Sequence, residues 1–285
     1  MIQKNFYFLA RRFVAGETID SATRTVRTLN EQSLSATLDF LGEDVLERDA
    51  ALRVREVYIE MLDAIRASGV DSNVSVKLTA LGLLIDEDFA FENLLAIVEH
   101  AGRNADPFVR IDMEGSSVLD ATLRVFHRIF AERKNVGPVL QAMLKRTGSD
   151  VERAIEMHAR VRLCKGAYSE PPEIAYERMA EIRTHYLDSA RALLQRGTYP
   201  GIATHDRRLI AAVKQFVSER KISRDSFEFQ MLYGCRPHVQ RELVEQGYRV
   251  RIYVPFGTHW AGYFYRRVLE RRENALFALS SLFSR

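Results

Sequence analysis

The sequence predicts an α/β protein whose eight parallel strands close into a (β/α)8 barrel. Short runs of β-branched and apolar residues recur along the chain, and each is followed by a longer segment with helical periodicity. Successive runs begin roughly 20–40 residues apart, the size of one strand-plus-helix unit. Eight such units in about 250 residues are typical of this barrel. The main rival is an open doubly wound sheet, which usually begins with a glycine-rich turn, but this chain contains no G-x-G sequence.

Eight segments are the predicted strands: Leu34–Leu41, Val74–Ala80, Phe108–Met113, Val136–Ala142, Val161–Ala167, Gly201–Thr204, Phe227–Leu232 and Val250–Pro255. Apolar residues at helical spacing predict helices between several of them, over Val45–Ala67, Ser117–Phe130 and Glu173–Gln195. Residues 1–32 are predicted to be a helical N-terminal addition. Because no low-complexity stretch or Gly/Ser linker interrupts the chain, we expect residues 1–285 to form a single barrel domain.

Composition excludes several classes of protein. The chain has 41 Lys and Arg against 38 Asp and Glu, a net charge of +3, which argues against a dedicated polyanion binder. Cys164 and Cys235 are the only cysteines and do not form a C-x-x-C pair, so a reducing, cytoplasmic location is expected. The P-loop and H-E-x-x-H patterns are missing, and no metal site is expected. The apolar run near the N-terminus is too short for a secretory signal.

Charged and amide side chains occupy the strand positions expected to face the barrel interior. Lys77, Arg110, Asp112, Glu228 and Gln230 each alternate with apolar neighbours. An unpaired charge buried there costs several kcal/mol, so these groups must pair with one another or meet a ligand. Taken singly, each is more often an exposed or edge residue, but their repetition on several strands favours a functional site. Polar residues near the C-terminal strand ends, where barrel enzymes carry out chemistry, are Asp112, Gln141, Lys165, Thr204, His205, Gln230 and Tyr253.

A second set of residues lies near the C-terminus on a predicted helix. Tyr263, Arg266, Arg267 and Glu270 are spaced to share one helix face. Two arginines beside an aromatic ring can bind a carboxylate or phosphate through paired hydrogen bonds. The alternative is a solvated basic helix end, and the spacing alone does not separate the two.

Eight segments carry a recognisable pattern. In sequence they read VSVKLTAL from Val74, RIDME from Arg110, VLQA from Val139, VRLCKGAY from Val161, ATH from Ala203, FEFQMLYG from Phe227, VRIYVP from Val250, and Tyr263 with Arg266 and Arg267. Together they resemble the proline dehydrogenase family, flavoenzymes with a distorted (β/α)8 barrel, and they follow the family's order over about four-fifths of the chain.

The resemblance implies non-covalent FAD at the C-terminal mouth of the barrel and a last helix that lies over this mouth. Asp112 and Arg162 would be the catalytic residues, with Arg162 beside flavin N5 and Asp112 either balancing Lys77 or receiving the amine proton. The implied flavin contacts are Met113, Gln141, Arg162, Lys165, Gly166, Ala167, Thr204 and His205. Lys77, Arg266 and Arg267 would grip the substrate carboxylate, and Tyr168, Leu232, Tyr253 and Tyr263 would complete the pocket.

The implied activity is oxidation of L-proline to Δ1-pyrroline-5-carboxylate, the first step of proline catabolism to glutamate, with electrons passed to a quinone. A monofunctional bacterial type is expected, with pyrroline-5-carboxylate dehydrogenase as its pathway neighbour. Peripheral contact with the inner membrane face is also implied. The candidate contact is Phe6–Leu9 with Arg11 and Arg12, although we favour packing of these aromatics on the barrel. Many members have Tyr where this chain has Met143 and Trp where it has Ser169.

Two other functions remain open from the residues alone. One is a flavin-free barrel lyase in which Lys77 or Lys165 forms a Schiff base with the substrate. The other is a binding module that uses the basic helix Arg266–Arg272 for a phosphate-rich or membrane partner.

Overall fold

A computed structural model describes residues 11–264, which contain a closed barrel of eight parallel strands in sequence order. Each strand pairs with its sequence neighbours, and the last strand closes the barrel by pairing with the first, Arg251–Phe256 opposite Ser35–Phe40. The predicted fold class is therefore confirmed.

The strands are β1 Ser35–Phe40, β2 Ser72–Val76, β3 Val109–Ile111, β4 Val136–Gln141, β5 Arg162–Cys164, β6 Gly201–Ala203, β7 Glu228–Leu232 and β8 Val250–Phe256. The helices are α1 Ile19–Asn30, α2 Arg48–Ser68, α3 Glu87–Ala101, α4 Ser116–Glu132, α5 Thr147–Glu156, α6 Met179–Arg196, α7 Arg207–Glu219 and α8 Pro237–Glu245.

Three strands end two or more residues earlier than the sequence predicted, and their functional residues lie in the loops that follow. β2 stops at Val76 because Leu78 begins a turn, its carbonyl accepting from the amides of Leu81 and Leu83 at 3.0 Å. β5 stops before Gly166, whose φ of 108° is incompatible with a strand. β3 ends before Asp112. These corrections place Lys77 and Asp112 directly after their strands, at the barrel mouth.

The predicted helix Glu173–Gln195 was wrong at its start, since α6 begins only at Met179. The preceding Arg178 has extended backbone, with φ −79° and ψ 127°. Before it, Ala175 forms an isolated antiparallel bridge with Leu144. Among residues 11–264, no helix has the length and hydrophobicity needed to cross a membrane.

Apolar side chains fill the space between the strands and the helices. On α2, Tyr58, Met61 and Leu62 are buried against the strands, where Val74 and Val76 of β2 are fully covered. Full burial of each aliphatic side chain stabilises the fold by about 1.5–3 kcal/mol. Because the apolar parity of each strand faces the helices, the other parity faces the lumen and is free to carry polar groups.

The N-terminal addition is helical over only part of its predicted length. α1 begins after Thr18, whose side chain and that of Ser21 form a capping box. Residues 11–16 instead run beside the C-terminal end of β8, where the amide of Ala15 donates to the carbonyl of Pro255 at 2.9 Å.

A small apolar cluster joins this N-terminal segment to the chain that follows β8. Phe13 and Val14 pack with Leu41, Trp260 and Tyr263. Leu41 follows β1, so the cluster lies beside the barrel mouth, and a helix starts there at residue 260. Most of the helix predicted over the mouth lies in residues 265–285, outside the described part of the chain.

Candidate active site

The barrel lumen is lined with buried charges rather than the branched aliphatic residues common in this fold. Those less than one-tenth exposed are Asp39, Lys77, Arg110, Arg162, Glu228 and Arg251. Because desolvation of each ion costs several kcal/mol, each needs a partner. Arg110 donates to two backbone carbonyls, and the other five form ion pairs with carboxylates or cations. The pairing has an upper layer at the mouth and a lower layer deeper in the barrel.

Asp112 is the centre of the upper layer. Its Oδ1 accepts from Ser75 Oγ and from Arg162 Nη1, both at 2.7 Å, and its Oδ2 accepts from Tyr253 OH at 2.8 Å. Burial and the neighbouring carboxylates raise the pKa of Tyr253, so its phenol stays protonated and donates. One carboxylate thereby connects side chains from β2, β5 and β8.

Lys77 forms the second ion pair of the mouth, with Asp39 of β1. Its Nζ lies 3.1 and 3.2 Å from the two carboxylate oxygens. Burial alone would lower the pKa of Lys77, but Asp39 and then Asp112 raise it above its ordinary value. Burial raises the pKa of Asp39 to about 6 despite the attraction of Lys77, so Asp39 is mostly ionised at pH 7.

This pair changes two expectations from the sequence. The carboxylate hydrogen-bonded to Lys77 is Asp39, whereas Asp112 is hydrogen-bonded to Arg162 and acts on Lys77 only through its charge. A Schiff-base lysine must be neutral to attack a carbonyl, and a raised pKa keeps Lys77 charged. The buried ion pair with Asp39, which holds the ammonium in its charged form, therefore argues against the lyase alternative at Lys77.

A chain of hydrogen bonds that runs deeper into the barrel orients Arg162. Its Nε donates to Gln230 Oε1, and Gln230 Nε2 donates to Glu228 Oε1 at 2.6 Å. The same Glu228 oxygen accepts from Arg251 Nε at 2.8 Å. The guanidinium of Arg162 is thus held on one side by Gln230 and on the other by Asp112, which orients it towards the mouth.

Gln141 supplies an unused acceptor at the end of β4. Its Nε2 donates to the carbonyl of Met113 at 3.3 Å, whereas its Oε1 is buried with no hydrogen-bond partner among the described residues. A buried acceptor without a partner costs about 1–3 kcal/mol. A bound ligand with an N–H or O–H donor, such as a flavin, would satisfy it, so this residue fits the implied cofactor.

The β5, β6 and β7 ends bring together further residues that the resemblance assigns to the cofactor. Lys165 Nζ lies 3.9 Å from Asp206 Oδ2, and the amide of Thr204 donates to the carbonyl of Gln230 at 3.2 Å. The amide of Leu232 donates to His205 Nε2 at 2.9 Å, so this ring nitrogen is the acceptor. This part of the mouth therefore places the Lys165 ammonium near a backbone segment that the His205 side chain holds at Leu232.

Gly166 has a φ of 108° in the loop after β5, which continues into the exposed Ala167. A Cβ added at Gly166 would meet Met143 Sδ at 2.3 Å. Met143, one of the departures from the family pattern, is buried and occupies this space, whereas Ser169, the other, is exposed.

Gly166→Ala is expected to destabilise the protein by about 1–3 kcal/mol, since alanine is strained at a φ of 108°. The displaced loop after β5 should also retain less of the flavin that the resemblance implies. Thermal unfolding and flavin absorbance per protein check this. Gly42→Ala is the control, because its Cβ would meet nothing within 4 Å. An unchanged Tm and flavin content in Gly166→Ala would contradict the expectation.

The remaining predicted residues are only partly brought together. Tyr168 is half-buried in the β5 loop, and Tyr263 is buried in the apolar cluster beside the mouth. Arg266 and Arg267 lie outside the described residues.

Two mouth residues were missed by the sequence analysis. Asp39 could have been found, because it alternates with Leu38 and Phe40 in β1 and so faces the lumen. Glu114 lies beyond β3, where strand alternation no longer indicates direction. Burial raises the pKa of Glu114 to about 7, although two hydrogen bonds from Thr79 and the charge of Lys77 oppose the shift.

Comparison with known proteins identifies the family of this chain. The family model described as proline dehydrogenase matches residues 22–279. The chain belongs to the proline dehydrogenase family. It is 41% identical to proline dehydrogenase 1 of Bacillus subtilis (strain 168) over 273 residues, covering 96% of this chain and 90% of that protein. It is 36% identical to the proline dehydrogenase of Deinococcus radiodurans, covering 99% and 92% of the two chains.

A solved structure shares the barrel of this proline dehydrogenase family member. Proline utilization A from Bdellovibrio bacteriovorus, inactivated by N-propargylglycine, superimposes with a TM-score of 0.87 at 28% identity. The match covers 94% of this chain and 33% of that much longer one. The chain therefore corresponds to about a third of that protein.

Proposed function

We propose that this proline dehydrogenase family member uses FAD to oxidise L-proline to Δ1-pyrroline-5-carboxylate. The observation that carries the proposal is the pair of ion pairs at the mouth, Lys77 with Asp39 and Arg162 with Asp112. They place two cations at the end of the barrel where a flavin and an anionic substrate would meet. The names of the relatives suggest the substrate, and Gln141 Oε1, which has no hydrogen-bond partner within residues 11–264, supports a cofactor at this mouth.

Substrate binding rests on the proline carboxylate. The Lys77 ammonium would attract it, and Arg266 and Arg267 would complete the clamp from the last helix. Tyr168, Leu232, Tyr253 and Tyr263 would enclose the ring. Orientation of reactants in this way can account for about 7–11 kcal/mol of a reaction barrier.

Oxidation removes a hydride from C5 and a proton from the nitrogen, which leaves a C5=N double bond. FAD, when bound, supplies the hydride acceptor. Arg162 would stabilise the negative charge that develops near N5, since a fixed cation needs no reorganisation during the reaction. Met113, Gln141, Lys165, Gly166, Ala167, Thr204 and His205 would hold the cofactor.

The sequence left two roles open for Asp112, balancing Lys77 or receiving the amine proton, and its contacts support a third, that of ion-pair partner to Arg162. Both of its oxygens already accept hydrogen bonds, from Ser75, Arg162 and Tyr253. We assign it to orienting Arg162 and Tyr253, with the amine proton leaving to solvent.

Two measurements on the purified protein test the proposal. The released cofactor is identified by mass spectrometry, and formation of pyrroline-5-carboxylate is assayed. We expect FAD, and conversion of L-proline but not D-proline to pyrroline-5-carboxylate with a quinone as acceptor. A colourless protein whose lysine is trapped by borohydride with a keto substrate would instead support the lyase.

Arg266→Met or Arg267→Met is expected to raise KM for proline while flavin stays bound, because one arm of the carboxylate clamp is lost. A charged hydrogen bond contributes about 1.5–3 kcal/mol, so a rise of roughly 10-fold or more is expected. Steady-state kinetics and flavin absorbance check it. Unchanged KM in both variants would remove the arginines from the clamp.

The wider setting is also part of the proposal. Electrons would pass to a membrane quinone, so we place the protein in the cytoplasm with peripheral contact at the inner membrane face. The product would be consumed by pyrroline-5-carboxylate dehydrogenase. Relatives at 28% identity, such as the bifunctional protein PutA of Escherichia coli, are consistent with that neighbouring step.

A further inference from the structure

Glu114 is a buried carboxylate of the β3 loop that has no role in the proposed chemistry. It is 5% exposed. Its Oε2 accepts from the Thr79 amide at 3.2 Å, and its Oε1 accepts from the Thr79 hydroxyl. One carboxyl group therefore holds both the backbone and the side chain of Thr79.

Thr79 in turn holds the loop after β1. Its Oγ1 accepts from the amide of Asp44 at 3.1 Å, and its carbonyl accepts from the amide of Val45 at 3.1 Å. Asp44 has a φ of 56°, a left-handed conformation that residues other than glycine adopt at a cost. These two bonds therefore help to maintain an unfavourable backbone conformation.

The backbone of Glu114 contacts Gln141, one of the residues that would hold the cofactor. Its carbonyl and that of Met113 accept from Gln141 Nε2, at 3.4 and 3.3 Å. We name the connected residues Gln141, Met113, Glu114, Thr79 and Asp44 the mouth belt. The mouth belt crosses the C-terminal ends of β4, β3, β2 and β1 in turn.

We propose that Glu114 is a positioning residue that, through Thr79, sets the β1 loop and Lys77 relative to Met113 and Gln141. Lys77 lies two residues before Thr79, so a shift of Thr79 moves the backbone that carries the ammonium. This inference rests on the proposed function, which supplies proline as the ligand near Lys77 and FAD as the ligand near Gln141. Glu114 does not reach the reacting atoms, so it governs substrate affinity more than the rate of oxidation.

Amide hydrogen exchange tests the mouth belt without using activity. Glu114→Gln leaves one acceptor oxygen where the carboxylate has two, so one of the two hydrogen bonds donated by Thr79 loses its acceptor. We expect the Asp44 and Val45 amides to exchange about tenfold faster in the flavin-bound protein. Thr79→Val should do the same because the hydroxyl is lost, and Thr79→Ser should restore the original exchange. Unchanged exchange in Glu114→Gln and Thr79→Val would overturn the proposal.

Kinetics separate positioning from general damage. Glu114→Gln and Thr79→Val should raise KM for proline about tenfold with kcat and bound flavin within about twofold, and the double variant should lose no more than either. Additive losses, or an unchanged KM, would refute the role.

Glu170→Gln is the matched control. Glu170 binds the amide and hydroxyl of Ser116 in the same way, at 2.8 Å to the amide, but has no bond to Thr79. Its KM and its exchange at Asp44 should stay near those of the unchanged protein. If the unchanged protein binds flavin but does not oxidise proline, the proposed function fails, and the exchange comparison still decides the mouth belt.

Discussion

Arg162→Met is expected to lower kcat for L-proline by about 10²–10³-fold, the usual cost of removing one preorganised group that stabilises developing charge. The loss should appear in flavin reduction, because Arg162 is the cation held between Asp112 and Gln230 at the mouth. Removing it leaves Asp112 without its ion-pair partner, which costs about 3–5 kcal/mol of stability for a buried pair. Stopped-flow reduction per bound flavin and thermal unfolding measure the two effects separately.

Arg110→Met is the control for this variant. Arg110 is equally buried but donates to the carbonyls of Pro138 and Arg160 in the lower part of the barrel. The Arg110→Met variant should be less stable than the original protein. In its folded, flavin-bound fraction, L-proline should reduce the flavin at nearly the original rate. A normal reduction rate in Arg162→Met would show that the guanidinium does not assist the transfer.

Lys77→Met is expected to raise KM for proline by roughly 10–100-fold, the range for a lost charged hydrogen bond. It also leaves the Asp39 carboxylate buried without its cation. The pKa of Asp39, already raised to about 6 by burial, should rise further when Lys77 no longer opposes the shift. Steady-state kinetics and the pH dependence of thermal unfolding measure these effects.

The double variant Lys77→Met with Asp39→Asn separates binding from stability. It should regain part of the lost Tm, because the uncompensated charge is gone, but it should keep the high KM. Lys134→Met, at an exposed lysine before β4, should change neither quantity. A KM within twofold of the original in Lys77→Met would exclude this lysine from carboxylate binding.

Most of the barrel could be predicted from sequence because strand alternation and helical spacing report directly on burial. Strand alternation predicted that Lys77 and Asp112 face the barrel interior, near the C-terminal ends of their strands. It failed where the chain leaves regular structure. The early end of β2 depends on the turn after Leu78, and the start of α6 depends on the bridge at Ala175, and neither has a periodic pattern.

Which charged side chains pair with each other at the mouth was less predictable than which of them face the lumen. Inward parity identifies which charges meet, but the choice of Asp39 over Asp112 as the hydrogen-bonded partner of Lys77 depends on strand register and side-chain reach. Glu114 was invisible to the same reasoning, because it lies in a loop and is buried by contacts with Thr79. Its place in the mouth belt became apparent only from the three-dimensional contacts.

We have proposed that the charged barrel mouth holds a flavin next to bound proline. The absorbance spectrum of the purified protein under anaerobic conditions, before and after L-proline is added, tests this. We expect an oxidised flavin spectrum that bleaches on addition of L-proline and persists with D-proline. A bound flavin that stays oxidised with excess L-proline would contradict it.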